Sequence, residues 1–244
     1  MNFNAVDLST YGVKVVSIDP GMGLGMSPVQ LPRRAYANDS VSIPKVLTVG
    51  VQVTGATLAE LLSRLDSIKG VLNERTDKHL ILDAQTGRYW MCRFNGLQGG
   101  LLGPLMFAGT LTFTATDPMA YSVEQTITPH TINADTKVIV ETVAGSGPCY
   151  PVFTLVPGAI LSGVSITLRV VKLDMELTWS GSLAATDELV IDSYRWYVSV
   201  NGTNDMKSIT PGAFPYLVPG ANSIQVSGLG TAGTLSIRYR NRYL

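Results

Sequence analysis

Between Thr57 and Asn73, the segment TLAELLSRLDSIKGVLN sets its apolar residues at helical spacing, and no other part of the chain does so convincingly. Leu58, Leu61, Leu62, Leu65, Ile68, Val71 and Leu72 fall on one stripe, as a helix with one face on a core requires. Thr57 followed by Glu60 forms a capping box that satisfies exposed N–H groups at the helix start. A chain with a single helix must build the rest of its core from strands, and the other patterns have period two. Val41 to Val53 places Val41, Ile43, Leu47, Val49, Val51 and Val53 on one parity, broken only by Lys45, and reads as a long half-buried strand. HLILD and RYWMCRF flank AQTG and predict a hairpin with Gly87 in its turn. Leu105 to Thr116 alternates, with Leu105, Phe107, Leu111 and Phe113 on one side, until Asp117-Pro118 stops the ladder.

After Tyr121 no helical period returns. Strand-like runs occupy Lys137–Val143, Ser165–Lys172, Met175–Trp179, Leu189–Val200, Ser223–Ser227 and Thr234–Leu244, with Asn201-Gly202, Pro219-Gly220 and Gly228 to Gly233 between several of them. Short strands at regular spacing predict a β-sandwich or jelly roll. The layout is an α+β first half, residues 1–122, and an all-β second half, residues 123–244.

Composition decides how such a chain meets its surroundings. Charged residues make up 15% of the 244, against roughly 25% in an average soluble domain. With 24 Gly and 13 Pro, this suggests a turn-rich β protein that covers part of its surface by assembly. Net charge is zero, so no global field draws in nucleic acid or anionic membrane. Phe94 to Thr116 and Val143 to Leu168 carry no charge, yet glycines and prolines interrupt both. Neither suits an unbroken membrane helix, so no membrane insertion is expected. The start, MNFNAVD, has no basic or apolar run of the kind a secretory signal needs. Cys92 and Cys149 are expected to be buried free thiols rather than a disulfide framework.

Catalytic designs lack parts. His79 and His130 each stand alone, away from a carboxylate or thiol at ligand spacing. No G-x-S-x-G elbow exists, and the adjacent acids Asp187-Glu188 point to opposite faces of a strand. No enzyme activity, metal or cofactor is expected. PGMGLGM, Pro20 to Met26, looks like a phosphate loop but opens no helix, and glycine with methionine suits an arm that adapts to a partner. Asn38 and Asn201 begin N-x-S/T sequons that mean little without a signal.

Aromatic residues concentrate in DSYRWYVSV, where Tyr194, Trp196, Val198 and Val200 share a parity. Two readings stay open. Trp196, with Trp179, can stack on sugar rings, or its row can face the sandwich core, the reading base rates favour. The closing TLSIRYRNRYL alternates Leu235, Ile237, Tyr239 and Tyr243 against Arg238, Arg240 and Arg242, as a half-buried strand does. Three arginines in a neutral chain are too few for strong phosphate binding, and could pair with carboxylates on a neighbouring strand or subunit.

The assembled pattern resembles the distal tail proteins (the Dit family) of long, non-contractile-tailed, siphovirus-type bacteriophages. YGVKV near the start, the long strand, the single helix and LTFTATDPMAYS carry the first half of the resemblance. GPCYPVF, LTWSGSLAATDELVIDS, VNG, FPYLVPGANSIQV and IRYRNRYL carry the more specific second half. The helix departs from the family in lacking a Trp-Leu ending, and the glycine-rich Pro20–Met26 is unusual. The resemblance implies a mostly β protein of two domains: an N-terminal α+β domain related to tail-tube proteins, and a C-terminal galectin-like β-sandwich. It also implies an extended arm at about 19–45, with Arg33, Arg34 and Tyr36 as candidate subunit-interface residues. Such proteins form a homo-hexameric ring at the distal tail tip of the virion. The ring joins the major tail tube protein to the tail hub or tail-associated lysin, with receptor-binding or fibre proteins further out. DNA passes through the central channel without being read by sequence. The alternative is a carbohydrate-binding module that helps adhesion to the host cell wall through Trp179 and Trp196.

Overall fold

In the computed structural model the described residues are 1–19, 26–27, 41–42, 44–230 and 233–244, and the chain divides into two compact units, Met1–Tyr121 and Ser122–Leu244. The first holds β1 (Asn2–Phe3), β2 (Val6–Asp7), β3 (Val13–Asp19), β4 (Met26–Ser27), β5 (Val41–Ser42), β6 (Lys45–Thr54), α1 (Leu58–Leu72), β7 (Lys78–Ile81), β8 (Arg88–Gly103) and β9 (Met106–Ala115), with β10 (Ala120–Ser122) at its end. The main sheet runs β2-β1-β7-β8-β9-β6-β3 and is antiparallel throughout.

The long strand expected over Val41–Val53 is two pieces. Val41–Ser42 pairs with Met26–Ser27 in a separate two-stranded sheet, and β6 begins at Lys45. Pro44, which has no N–H to give a ladder, stands between them. Within β6 the expected parity holds, since Leu47, Val49, Val51 and Val53 are buried.

α1 is the only α-helix among the described residues. Thr57 Oγ1 accepts from the Glu60 N–H at 3.1 Å, while Glu60 Oε2 accepts from the Ala56 N–H at 2.7 Å, one residue before the cap. Arg64 donates to Glu60 Oε1 at 2.6 Å and to the Thr54 carbonyl at 2.7 Å, tying the first turns to the end of β6. The helix packs over β6 and buries Leu61, Leu65, Ile68 and Leu72, each contributing roughly 2 kcal/mol of transfer free energy. Leu58 and Leu62 stay exposed, so the buried stripe is narrower than the sequence suggests.

β9 lies between β6 and β8, in register from Lys45↔Ala115 to Thr54↔Met106 on one side, and paired from Cys92↔Ala115 to Gly103↔Met106 on the other with register shifts between Phe94 and Gly96 and between Leu101 and Gly103. Its inward residues Phe107, Leu111 and Phe113 are those that alternation selects, and the Phe113 ring meets Phe3 and Phe94 at 5.6 Å between centroids.

The second unit holds β11 (Thr126–Ile132), β12 (Thr136–Val143), β13 (Val152–Pro157), β14 (Leu161–Val170), β15 (Met175–Leu183), β16 (Leu189–Asp192), β17 (Tyr197–Val200), β18 (Thr203–Asn204), β19 (Ile209–Thr210), β20 (Gly220–Ser227), β21 (Gly233–Tyr239) and β22 (Arg242–Tyr243). One sheet runs β11-β21-β13-β16-β17-β18, the other β12-β20-β14-β15-β19. Their inner faces share a core that includes Phe153, Leu168, Leu177, Ile191, Val198, Ile224 and Ile237, so the predicted β-sandwich is present. Asn201 and Gly202, both at positive φ, make the tight turn between β17 and β18, as that dipeptide predicts.

Candidate interaction surfaces

Alternation alone would bury one side of every residue pair along β8 and β9, but their far half is out of the core. Leu101 is 54% and Leu102 65% exposed, and Leu105 is exposed at the turn. The stretch 94–116 has no charged residue. Gly99 stands opposite Gly109 in the ladder. A methyl group on Gly99 would lie 2.3 Å from the Ala108 carbonyl oxygen and 2.8 Å from the Phe107 ring. One on Gly109 would lie 2.5 Å from the Gln98 carbonyl oxygen. The glycine pair lets the two backbones and the Phe107 ring close up, leaving a thin, charge-free hairpin with leucines at its tip.

A second surface belongs to the sandwich. Cys149 and Leu217 bond to each other through both backbone N–H groups, at 2.8 and 2.9 Å, and both side chains are buried. Side chains alternate along extended chain, so the next residue on each strand, Tyr150 and Tyr216, turns outward beside its partner. Their ring centroids are 5.9 Å apart. The Ser193 N–H donates to the Pro151 carbonyl at 3.1 Å and draws the β16–β17 turn alongside, placing the Tyr194 ring 6.4 Å from Tyr150. The Arg242 guanidinium lies over the Tyr150 ring at 5.4 Å and donates to the Pro148 carbonyl at 3.1 Å.

Both tryptophan expectations need correction. Trp179 is 2% exposed on the inner side of β15, and its Nε1 donates to Asp205 Oδ2 at 2.8 Å. No sugar ring can stack on it. Trp196 is 70% exposed, and the core reading of its row fails because β17 begins only at Tyr197. Residues 193–196 form a turn in which Asp192 Oδ1 accepts from the Tyr194 and Arg195 N–H groups, each at 3.0 Å, and Trp196 sits at φ +52°. Alternation does not pass through a turn, so Tyr194, 68% exposed, leaves the core as well. Val198 follows the expected row into the core, and Val200, partly buried, packs against it.

His130 does have a carboxylate neighbour. Its Nε2 lies 2.6 Å from Glu141 Oε1, and Thr128 Oγ1 donates to Glu141 Oε2 at 3.3 Å. Glu141 occupies an inward position of β12 beside Ile139 and Val143, whereas Val138 and Val140 face solvent. Burying a carboxylate is costly unless it is hydrogen-bonded, and His130 and Thr128 on β11 supply those bonds across the sandwich edge. Burial, reinforced by the Glu141 charge, pushes the nearby Tyr239 phenol up to about 12.

Cys92 and Cys149 are buried free thiols. Burial, with Asp77 adding to it, pushes Cys92 up to about 12, and burial raises Cys149 too, so neither is a ready nucleophile. Among the described residues no group of three or more His, Cys, Asp or Glu could hold a metal ion. Also among them, no helix is long and apolar enough to cross a membrane. Arg33, Arg34 and Tyr36 lie outside the described residues, as do Asn38 and all of the Pro20–Met26 segment except Met26. The closing strand is shorter than expected, ending at Tyr239. Arg240 donates to the Ser122 carbonyl at 2.9 Å and to that of Val123, and Arg242 to that of Pro148; these bonds go to main-chain oxygens rather than to the anticipated carboxylates.

Residues 144–243 match the family model of the siphovirus-type tail component, C-terminal domain. Over the whole chain, the fold is similar to that of the Dit protein (gp 19.1) of phage SPP1, described as a paradigm of the hub adsorption apparatus in phages infecting Gram-positive bacteria. That similarity has a TM-score of 0.73 at 16% identity and covers 99% of this chain and 98% of the other. A chain of the phage p2 baseplate, in its activated conformation with strontium, is similar at a TM-score of 0.43 and 10% identity, over 96% of this chain and 92% of that one. No curated protein is significantly similar to the sequence.

Proposed function

We infer that this chain, a Dit-family tail component of the siphovirus type by its C-terminal domain, is a structural virion protein that forms a hexameric ring adaptor at the distal end of a phage tail. The match over residues 144–243 carries this reading, and the single-helix, two-unit β fold agrees with it. In the ring the N-terminal unit contacts the tail tube and the neighbouring subunit, with the arm at about 19–45 reaching across that neighbour. The other side of the ring holds the hub. The uncharged, leucine-tipped far half of the β8–β9 hairpin supports the assembly: its exposed leucines gain by burial against another subunit. A head-to-tail interface repeated around a closed symmetry lets modest contacts add up. A net charge of zero suits a channel that passes DNA without gripping it.

Light scattering and negative-stain images of the purified chain, alone and mixed with its tail-tube protein, test the reading. The expected result is a mass of six subunits and ring-shaped particles. A strict monomer at every concentration in both preparations overturns the ring.

A further inference from the structure

We propose that Tyr150, Tyr194, Trp196 and Tyr216 form a binding platform for a neutral polysaccharide. The platform is independent of the ring reading, because all four residues belong to the sandwich unit and none takes part in the hairpin surface.

Three observations converge on it. The first is placement: three chain segments that are distant in sequence bring the Tyr216 and Tyr194 rings to 5.9 and 6.4 Å from the central Tyr150 ring on the outside of the unit, and Trp196 lies exposed in the same turn as Tyr194. The second is the lack of a structural reason for Trp196. A bulky side chain at φ +52° occupies a region where Asn or Gly is favoured, and at 70% exposure burial returns little for it. A strained conformation held at a surface aromatic marks a position kept for contact with something else. The third is chemistry. The tyrosine rings are tilted by 59° and 52° and present separate faces rather than one flat wall, and each carries a hydroxyl at its edge. Such rings offer an apolar face with a wet rim, which complements a sugar unit with its C–H face and its hydroxyls. Charge points to a neutral ligand. The Arg195 guanidinium lies 3.8 Å from the Asp192 carboxylate in the same turn, and the Arg242 guanidinium is engaged by the Tyr150 ring and the Pro148 carbonyl.

The test is affinity electrophoresis of the full chain through gels cast with dextran, galactomannan or laminarin. Wild-type protein should be retarded by at least one of them. Trp196→Asn and Tyr194→Ala should each weaken that retardation by about tenfold in apparent dissociation constant, as loss of a stacking ring implies. Trp196→Asn should melt no lower than wild type, because Asn accepts the left-handed backbone, which separates lost binding from lost folding. Ile160→Ser, an exposed apolar change elsewhere on the unit, should bind as wild type does. Failure of all three polysaccharides to retard the protein overturns the proposal, as does retardation that survives both aromatic substitutions. Capture of another tail protein that the same substitutions abolish, without polysaccharide retention, also overturns it and identifies a protein dock. Ring mass, measured in parallel, should be the same in every variant.

Discussion

Trp179 and Trp196 show how differently one residue type can be used within one unit. Trp179 fills the sandwich core, and its indole N–H is matched by Asp205 at 2.8 Å. Trp179→Phe keeps most of the ring volume but removes that donor, so the variant should lose roughly 2 kcal/mol in urea unfolding. The buried acids set the alkaline limit. Cys92 rises from 9.0 and Tyr239 from 10.0, each to about 12, and Cys149 also rises. Their folded values lie above the unfolded ones, so the unfolded chain releases these protons first and stability falls as pH rises. The contribution is complete below about pH 9 and is lost towards about pH 12. Equilibrium unfolding should show that decline, with little change in this contribution between pH 6 and 8.

Among elements, β11 and β12 need explaining most, because β12 turns valines outward and a glutamate inward. Both parities of β12 carry apolar residues, Val138 and Val140 on one and Ile139 and Val143 on the other, so alternation alone does not choose the inward side. The choice follows from register. β12 pairs with β20 from Thr136↔Ser227 to Val143↔Gly220, and Ile139, opposite the buried Ile224, fixes which parity points in. Glu141 shares that parity and is stabilised by His130 and Thr128 from the strand before. His130→Ala removes the closest partner of a buried carboxylate. It should therefore cost roughly 2 kcal/mol, read as a lower urea midpoint with an unchanged slope. The helix of the first unit is simpler. Its cap and stripe are local, and both were legible in TLAELLSRLDSIKGVLN, although only tertiary packing leaves Leu58 and Leu62 outside the buried face.

On the scale of the whole molecule, the distribution of charge matters more than its sum. The far half of the β8–β9 hairpin, within residues 94–116, carries no charge and exposes Leu101, Leu102 and Leu105, which suits it to burial against another surface. Replacing Leu101 and Leu102 together with serine should leave the melting temperature nearly unchanged, since both are exposed, and shift sedimentation from the proposed ring towards the monomer. The arginines of the closing segment act inside the sandwich unit. Arg240 and Arg242 bond to carbonyls of Ser122 and Pro148, residues far from them in sequence. Changing Arg238, Arg240 and Arg242 to Gln should lower stability while DNA retardation stays weak and scarcely changes, because so few cations release little counterion.

The helix over Leu58–Leu72, the period-two strands, the turn at Asn201-Gly202 and the family resemblance can all be read from the chain, because each depends on residues close together in sequence. Tertiary structure decided what depends on distant partners or on where a strand stops. It broke the long strand at Pro44, turned Glu141 towards His130, and moved Trp179 into the core and Trp196 out of it. It also brought Tyr150, Tyr194 and Tyr216 from three separate segments onto one surface. The physical reason is the same in each case. Periodicity records which side of a strand a residue takes, whereas register and turn geometry, fixed by pairing with remote strands, determine which side is the inside.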